Sequence, residues 1–181
     1  LFNDGVQTVI NSASIFAMGP LKMTVGELTQ VVLMIQFAAM PGTFLISWLS
    51  KLLGQKTTLM LCLAMWVMLL IAAFFVTTST QFWYMAFVLA MIMGGTQSVS
   101  RAIMGMMTPP SRSAEFFGFF NFSGRATSMV GPPLFGTITY MTGSAHWGIL
   151  SLLVFFVLGW AIVAPVNIRR GQAEALEEES P

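Results

Sequence analysis

Residues 57–76 read TTLMLCLAMWVMLLIAAFFV, with no charged side chain in the run. A helix needs roughly 20 predominantly apolar residues to cross the hydrocarbon core of a bilayer. On either side lie further stretches of the same kind, at residues 1–18, 26–50, 82–107, 115–140 and 147–166. Charged residues make up 8% of the 181-residue chain and apolar residues 56%, where a soluble domain carries about 25% charged residues. Such a chain cannot enclose its apolar surface in one water-soluble core. Because irregular backbone cannot face lipid, the spans must be helical. The sequence therefore predicts an all-α, polytopic integral membrane protein with six transmembrane helices and a short tail at 167–181.

Local signals punctuate this pattern. Thr24 with Glu27, and Thr78 with Gln81, have capping-box spacing before the second and fourth spans. Pro109-Pro110 stops the fourth span and Pro165 ends the sixth. The first span is short, begins without methionine and has no basic segment before it. It is expected to be a helix that has lost its beginning, not a signal peptide.

Basic residues in short loops set orientation. Lys51 and Lys56 follow span two, Arg112 follows span four, and Arg169-Arg170 follow span six, whereas the opposite loops hold only Lys22 and His146. The connections after spans two and four, and the C-terminus, are expected in the cytoplasm. The tail with Glu174, Glu177, Glu178 and Glu179 is acidic and expected to be disordered.

Several chemistries are excluded. Cys62 is the only cysteine, so no intrachain disulfide forms and no cysteine metal cluster exists. His146 beside Trp147 reads as an interfacial anchor. No zinc spacing, phosphate loop or nucleophile elbow occurs, so no cofactor, metal or enzymatic activity is expected. The net charge of +1 gives no reason to expect nucleic acid.

Spans three and six are apolar all round, as extensive lipid contact requires. Spans one, four and five carry polar residues at helical spacing: Asp4, Gln7, Asn11 and Ser14; Gln97 and Arg101; Asn121, Arg125 and Ser128. Span two adds Gln30 and Gln36. Polar groups at membrane depth should face protein or water. The neutral ones fit a shared interior cavity or helix-to-helix hydrogen bonds equally well; for the charged ones the functional reading leads. Arg125 lies about ten residues into its span, roughly 15 Å from one end, and needs an anion. Asp4 is the one carboxylate at comparable depth. Arg101 and Glu115, with Arg112 close by, are expected to form an ion pair or gate latch near the cytoplasmic surface. In span four, Ala86, Ala90, Gly94, Ser98 and Ala102 form a small-residue stripe that lets another helix approach. Gly94-Gly95 and Gly131-Pro132-Pro133 mark expected bends.

The order of polar and lipid-facing helices, in two sets of three, resembles the C-terminal half of a major facilitator superfamily transporter. On that resemblance spans one to six are helices seven to twelve of a twelve-helix fold, and a six-helix N-terminal half is missing. Ser47-Trp48-Leu49-Ser50-Lys51-Leu52-Leu53-Gly54-Gln55-Lys56 resembles the superfamily's cytoplasmic signature loop. Lys51, Gly54 and Lys56 fit it, while Ser47 replaces a glycine and Ser50 an acid. Asn3-Asp4-Gly5-Val6-Gln7, Gly94-Gly95-Thr96-Gln97-Ser98-Val99-Ser100-Arg101, Ala114-Glu115-Phe116-Phe117-Gly118, Ser123-Gly124-Arg125 and Gly131-Pro132-Pro133-Leu134-Phe135-Gly136 are similar to the vacuolar amino-acid effluxer-like family, named for an autophagy-related fungal protein. The chain resembles a bacterial member of it, placed in the cytoplasmic membrane.

The resemblance implies secondary transport of a small solute, with efflux of neutral amino acids as the family's best-known activity. Asp4, Gln7, Asn11, Gln97, Asn121 and Arg125 would line the path. Arg125 would bind a substrate carboxylate or pair with Asp4, and Asp4 would couple transport to protons. Beyond solute, lipid, the missing half and a coupling ion, no partner is implied. A passive channel, or a non-transporting scaffold or sensor with the same fold, remains open as the alternative.

Overall fold

Capping begins the long helices. Thr24 and Glu27 exchange hydrogen bonds, the Thr24 amide donating to Glu27 Oε2 (2.8 Å) and the Glu27 amide to Thr24 Oγ1 (3.3 Å). Thr78 and Gln81 form the same reciprocal pair. Each satisfies N-terminal amides that the helix itself leaves open. In the computed structural model, the structure describes residues 2–127, 129–168, 170–171 and 173; the side chains of residues 2–4, 110 and 124–127 fall outside it. The helices are α1 (Phe2–Met18), α2 (Val25–Leu53), α3 (Gln55–Phe74), α4 (Ser79–Met106), α5 (Ser113–Thr127), α6 (Gly131–Thr142), α7 (Ala145–Ser151) and α8 (Leu153–Val163), with a 3-10 turn at Pro110–Arg112 before α5. The fold is all-helical among the described residues.

Four segments are long and apolar enough to cross a membrane: α2, α3, α4, and α7 with α8 taken together over Ala145–Val163. The remaining two stretches are shorter in regular structure. α1 has 17 residues. Residues 115–140 hold two helices: α5 is described as far as Thr127, residues 129–130 form a turn, and α6 runs from Gly131 with proline at its first positions. Pro132 and Pro133 supply no backbone amide, so the ladder cannot run through them, yet their fixed φ suits a helix start. A lesser interruption at Leu152 separates α7 from α8. The acidic residues 174–181, with Arg169 and Ser128, lie outside the described residues.

The core forms where α3 meets α4 and α8. Trp66 is fully buried and stacks on Phe156 at 5.0 Å and 16°. Its indole nitrogen donates to Thr96 Oγ1 (3.2 Å), which donates on to the Ile92 carbonyl (2.8 Å), so no polar atom of this group is left unpaired in apolar surroundings. The opposite side of α3 carries Leu61, Met65, Met68 and Ile71 exposed, as a lipid-facing helix requires.

α2 and α4 make the most extensive contact in the bundle. It depends on glycine. A Cβ on Gly42 would strike the backbone of Met91, one on Gly94 would strike Thr43, and one on Gly95 would strike Ile46. The stripe in α4 thus admits α2 through Gly94, joined by the neighbouring Gly95. α1 packs on α8 at Gly5, where a Cβ would meet Phe155 and Phe156.

Two networks close the ends. At one, His146 Nε2 donates to the Val76 carbonyl (3.1 Å) between the rings of Phe16 (4.8 Å) and Phe74 (6.1 Å). His146 is half-buried and braces α7 against the α3–α4 connection, a tighter role than a surface anchor. At the other, Lys56 Nζ donates to the Ala164 carbonyl (2.7 Å), tying the start of α3 to the end of α8. A lysine there also complements the negative C-terminal end of the helix.

Candidate functional site

α1 divides its polar residues by depth. Thr8 and Ser12 are buried with Val6, Val9, Phe16 and Ala17, while Gln7 and Asn11 are exposed and Ser14 is half-buried. At 100° per residue, positions 7, 11 and 14 share the face opposite the buried one. Gln7 and Asn11 therefore point away from the core of this bundle, with half-buried Ser14 at the edge of that face. Asp4 belongs to α1, but its side chain lies outside the described residues.

The break between α5 and α6 is seated on this helix. Gly131 is buried, and a Cβ there would overlap Thr8 Oγ1. Only glycine allows the restart of α6 to approach α1 so closely. Thr8 adjoins Gln7, so the broken backbone and the exposed stripe sit within one turn of each other on α1. Arg125 falls in the last turn of α5, its side chain outside the described residues, and Asn121 one turn earlier is exposed.

On α4, Gln97 is half-buried one turn beyond the glycine crossing, and Arg101, one turn further, is exposed. Arg112 donates to Glu115 (2.9 Å between Nη2 and Oε2), an i,i+3 pair at the start of α5 with both side chains more than half exposed. Among the described residues Glu115 pairs with Arg112 and not with Arg101. In the signature loop, Gly54 has φ 86°, a value open to glycine, and forms the hinge between α2 and α3. Lys51 is exposed in the last turn of α2. Lys56 alone of the three makes a specific tether.

Ser14 and Gln36 share a cavity that the sequence offered no reason to expect, a space of about 220 Å³ between α1, α2 and α4. Sequence reasoning also passed over Pro41 inside α2, although proline beside Gly42 in an apolar run signals an interrupted ladder. Thr8 and Thr96 were missed as buried partners because an isolated threonine in a span carries no directional signal. Among the described residues no group of three or more metal-ligating side chains converges.

A sequence profile described as "Vacuole effluxer Atg22 like" matches residues 1–176. The uncharacterized MFS-type transporter YxiO of Bacillus subtilis is 29% identical, the match covering 89% of this chain and 37% of YxiO. Autophagy-related protein 22 of Cryptococcus neoformans is 27% identical, over 97% of this chain and 35% of the fungal protein. Autophagy-related protein 22-2 of Aspergillus niger is also 27% identical, over 98% and 32%. The chain thus spans about a third of the length of these relatives. No solved structure is significantly similar to it. With the profile matched over nearly its whole length, the chain belongs to the Atg22-like vacuole effluxer family.

Proposed function

We propose that the protein is a secondary transporter that moves a small solute by alternating access, and that this chain is the C-terminal six-helix half of a twelve-helix fold. The reading rests above all on the turn at 129–130 between α5 and α6 and on the seat of Gly131 against α1 at Thr8. Non-helical backbone at membrane depth is tolerated only where it is buried in protein or lines a water-filled cavity. Transporters build their sites near the bilayer midplane from such discontinuous helices and rock two halves around them. The outward polar stripe of α1 would then face the other half across the path.

In this reading Gln7, Asn11, Gln97 and Asn121 line the path. Arg125, on α5, binds a substrate carboxylate or pairs with Asp4, which couples transport to protons. Arg101 and the Arg112–Glu115 pair gate the cytoplasmic end, where Lys51, Gly54 and Lys56 form the signature loop. The glycine crossing of α2 and α4 serves as the pivot. The family's description points to efflux, and an amino acid would satisfy a site built around one arginine. The protein resides in a bacterial cytoplasmic membrane with its C-terminus inside.

The test is flux in proteoliposomes containing the full-length protein, with labelled neutral amino acids, with and without an imposed pH gradient. Saturable transport, lost in Arg125→Ala and kept in part by Arg125→Lys, is the expected result. Absence of flux for every amino acid under both conditions refutes the amino-acid assignment. Equal flux in wild type and Arg125→Ala removes Arg125 from the path.

A further inference from the structure

The cavity between α1, α2 and α4 meets the polar stripe of α1 at Ser14 and is otherwise almost wholly apolar. Its walls include Val9 and Ala13 of α1, Val31 and Ile35 of α2, and Ala86 and Leu89 of α4, with α3 and α7 closing the back. No charged side chain lines it, and its only polar lining residues are Ser14 and Gln36. These two belong to different helices, α1 and α2. Gln36 is exposed and has no hydrogen-bond partner among the described residues, so its amide keeps both donors and its acceptor available. The Ser14 hydroxyl donates to the Asn11 carbonyl (3.1 Å) and so presents an acceptor.

Size and chemistry together define an occupant. A dry cavity of about 150 Å³ lined by aliphatic and aromatic side chains already takes a benzene-sized molecule. At about 220 Å³ this one has room for a somewhat larger apolar body. It is small beside the roughly 300–1,000 Å³ of sites for drug-sized ligands. A charged molecule would lose its hydration here and gain no counter-charge. We infer that the cavity is a binding site for a small uncharged molecule with a ring-sized or branched apolar body and one hydrogen-bonding head. The body lies among the aliphatic walls, and the head meets Gln36 and Ser14.

The inference goes beyond the transport reading and is read by binding, without flux. Its occupant touches α1, α2 and α4 at once. Such a molecule stabilises whichever arrangement of these helices contains the cavity, and so shifts the population of conformations toward it.

Indole serves as the probe: it is uncharged, has a fused-ring body and carries one N–H. Binding of fluorinated indole to the full-length protein in lipid nanodiscs is followed by fluorine NMR, with empty nanodiscs as the blank for partition into lipid. Saturable binding above the blank is expected. Ala86→Phe fills the cavity from α4 and Ala13→Leu from the opposite wall; each should weaken binding roughly tenfold or more while the size-exclusion profile stays that of the wild type. Should Ala86→Phe fail to fold, Ala13→Leu decides alone. Gln36→Leu should weaken indole about three- to tenfold, the loss of one hydrogen bond, and leave the all-carbon analogue indene unaffected. Uptake no greater than the blank overturns the site. So does saturable binding that neither filling variant reduces.

Discussion

Replacing Gly42 with alanine adds one methyl group where there is no room for it. The added Cβ would overlap the carbonyl carbon, oxygen and Cα of Met91 in α4. A crowded side chain can rotate away; a helix backbone cannot. α2 must therefore move off α4 along the most extensive contact in the bundle. Overpacking a filled interior costs about 1–3 kcal/mol, and a clash with backbone belongs at the upper end. The change also has a favourable part, because alanine is better than glycine inside a helix by about 0.5–1 kcal/mol. The net expectation is a loss of about 2 kcal/mol. At roughly 2–4 °C per kcal/mol for a unit of about 150–250 residues, the apparent Tm should fall by about 4–8 °C if this bundle unfolds as its own unit, and by less if the full-length protein unfolds as one. Gly136→Ala is the control. Gly136 is exposed in α6 with nothing within 4 Å of an added Cβ. Only the favourable part applies there, and Tm should rise by about 1–4 °C. The assay is thermal denaturation of the full-length protein in one detergent, read as the fraction remaining monodisperse on size exclusion. A Gly42→Ala protein as stable as wild type, or a Gly136→Ala protein that falls with it, would refute the close approach at Gly42.

Thr96→Val keeps the shape of the side chain but leaves the buried Trp66 N–H without an acceptor, at a cost of about 1–3 kcal/mol; Thr96→Ser should restore most of the lost Tm. Lys56→Met removes the tether to Ala164, so amide hydrogen exchange should quicken at residues 163–167 while the centre of α3 stays protected. Glu115→Gln breaks an exposed ion pair, and such pairs contribute about 0–1 kcal/mol, so Tm should stay within about 3 °C of wild type in low and high salt alike.

Local chemistry was readable from the sequence, and long-range pairing was not. The run at 57–76 and the two capping boxes produced the helices they announce, because each depends on residues within a turn or two of one another. Gly131-Pro132-Pro133 announced a bend, and a turn at 129–130 with a new helix start at Gly131 is found there, since two successive prolines supply no amides to the turn before them. The contacts that join helices link residues far apart in the chain: Trp66 to Thr96 across 30 positions, Val76 to His146 across 70, Lys56 to Ala164 across 108. None has a periodic signature. Periodicity on α1 grouped Gln7, Asn11 and Ser14 on one face, but it could not say that the buried side of the helix would take Thr8 and Ser12. That follows from Gly131 and from the helices packed around α1, which a single sequence does not align.

Gly42, Thr43 and Ile46 on α2 lie against Met91, Gly94 and Gly95 on α4, and with Pro41 next to Gly42 in the chain they explain more than close packing. Pro41 supplies no amide to the ladder. Thr43 Oγ1 donates to the Ala39 carbonyl (2.8 Å), a local bond that competes with the helix's own and bends helices. Gly94-Gly95 leave α4 with the least side-chain support at the same level. Two long helices are thus weakened where they touch, and nowhere else in the described bundle do both partners of a contact carry such features. A packing contact alone would need only small residues; a proline in the ladder adds nothing to tightness, and Thr43 back-bonds as well as filling the space that Gly94 leaves. They lower the cost of changing the angle between α2 and α4 while glycine keeps the axes together, which is the mechanical requirement for a crossing that pivots without coming apart.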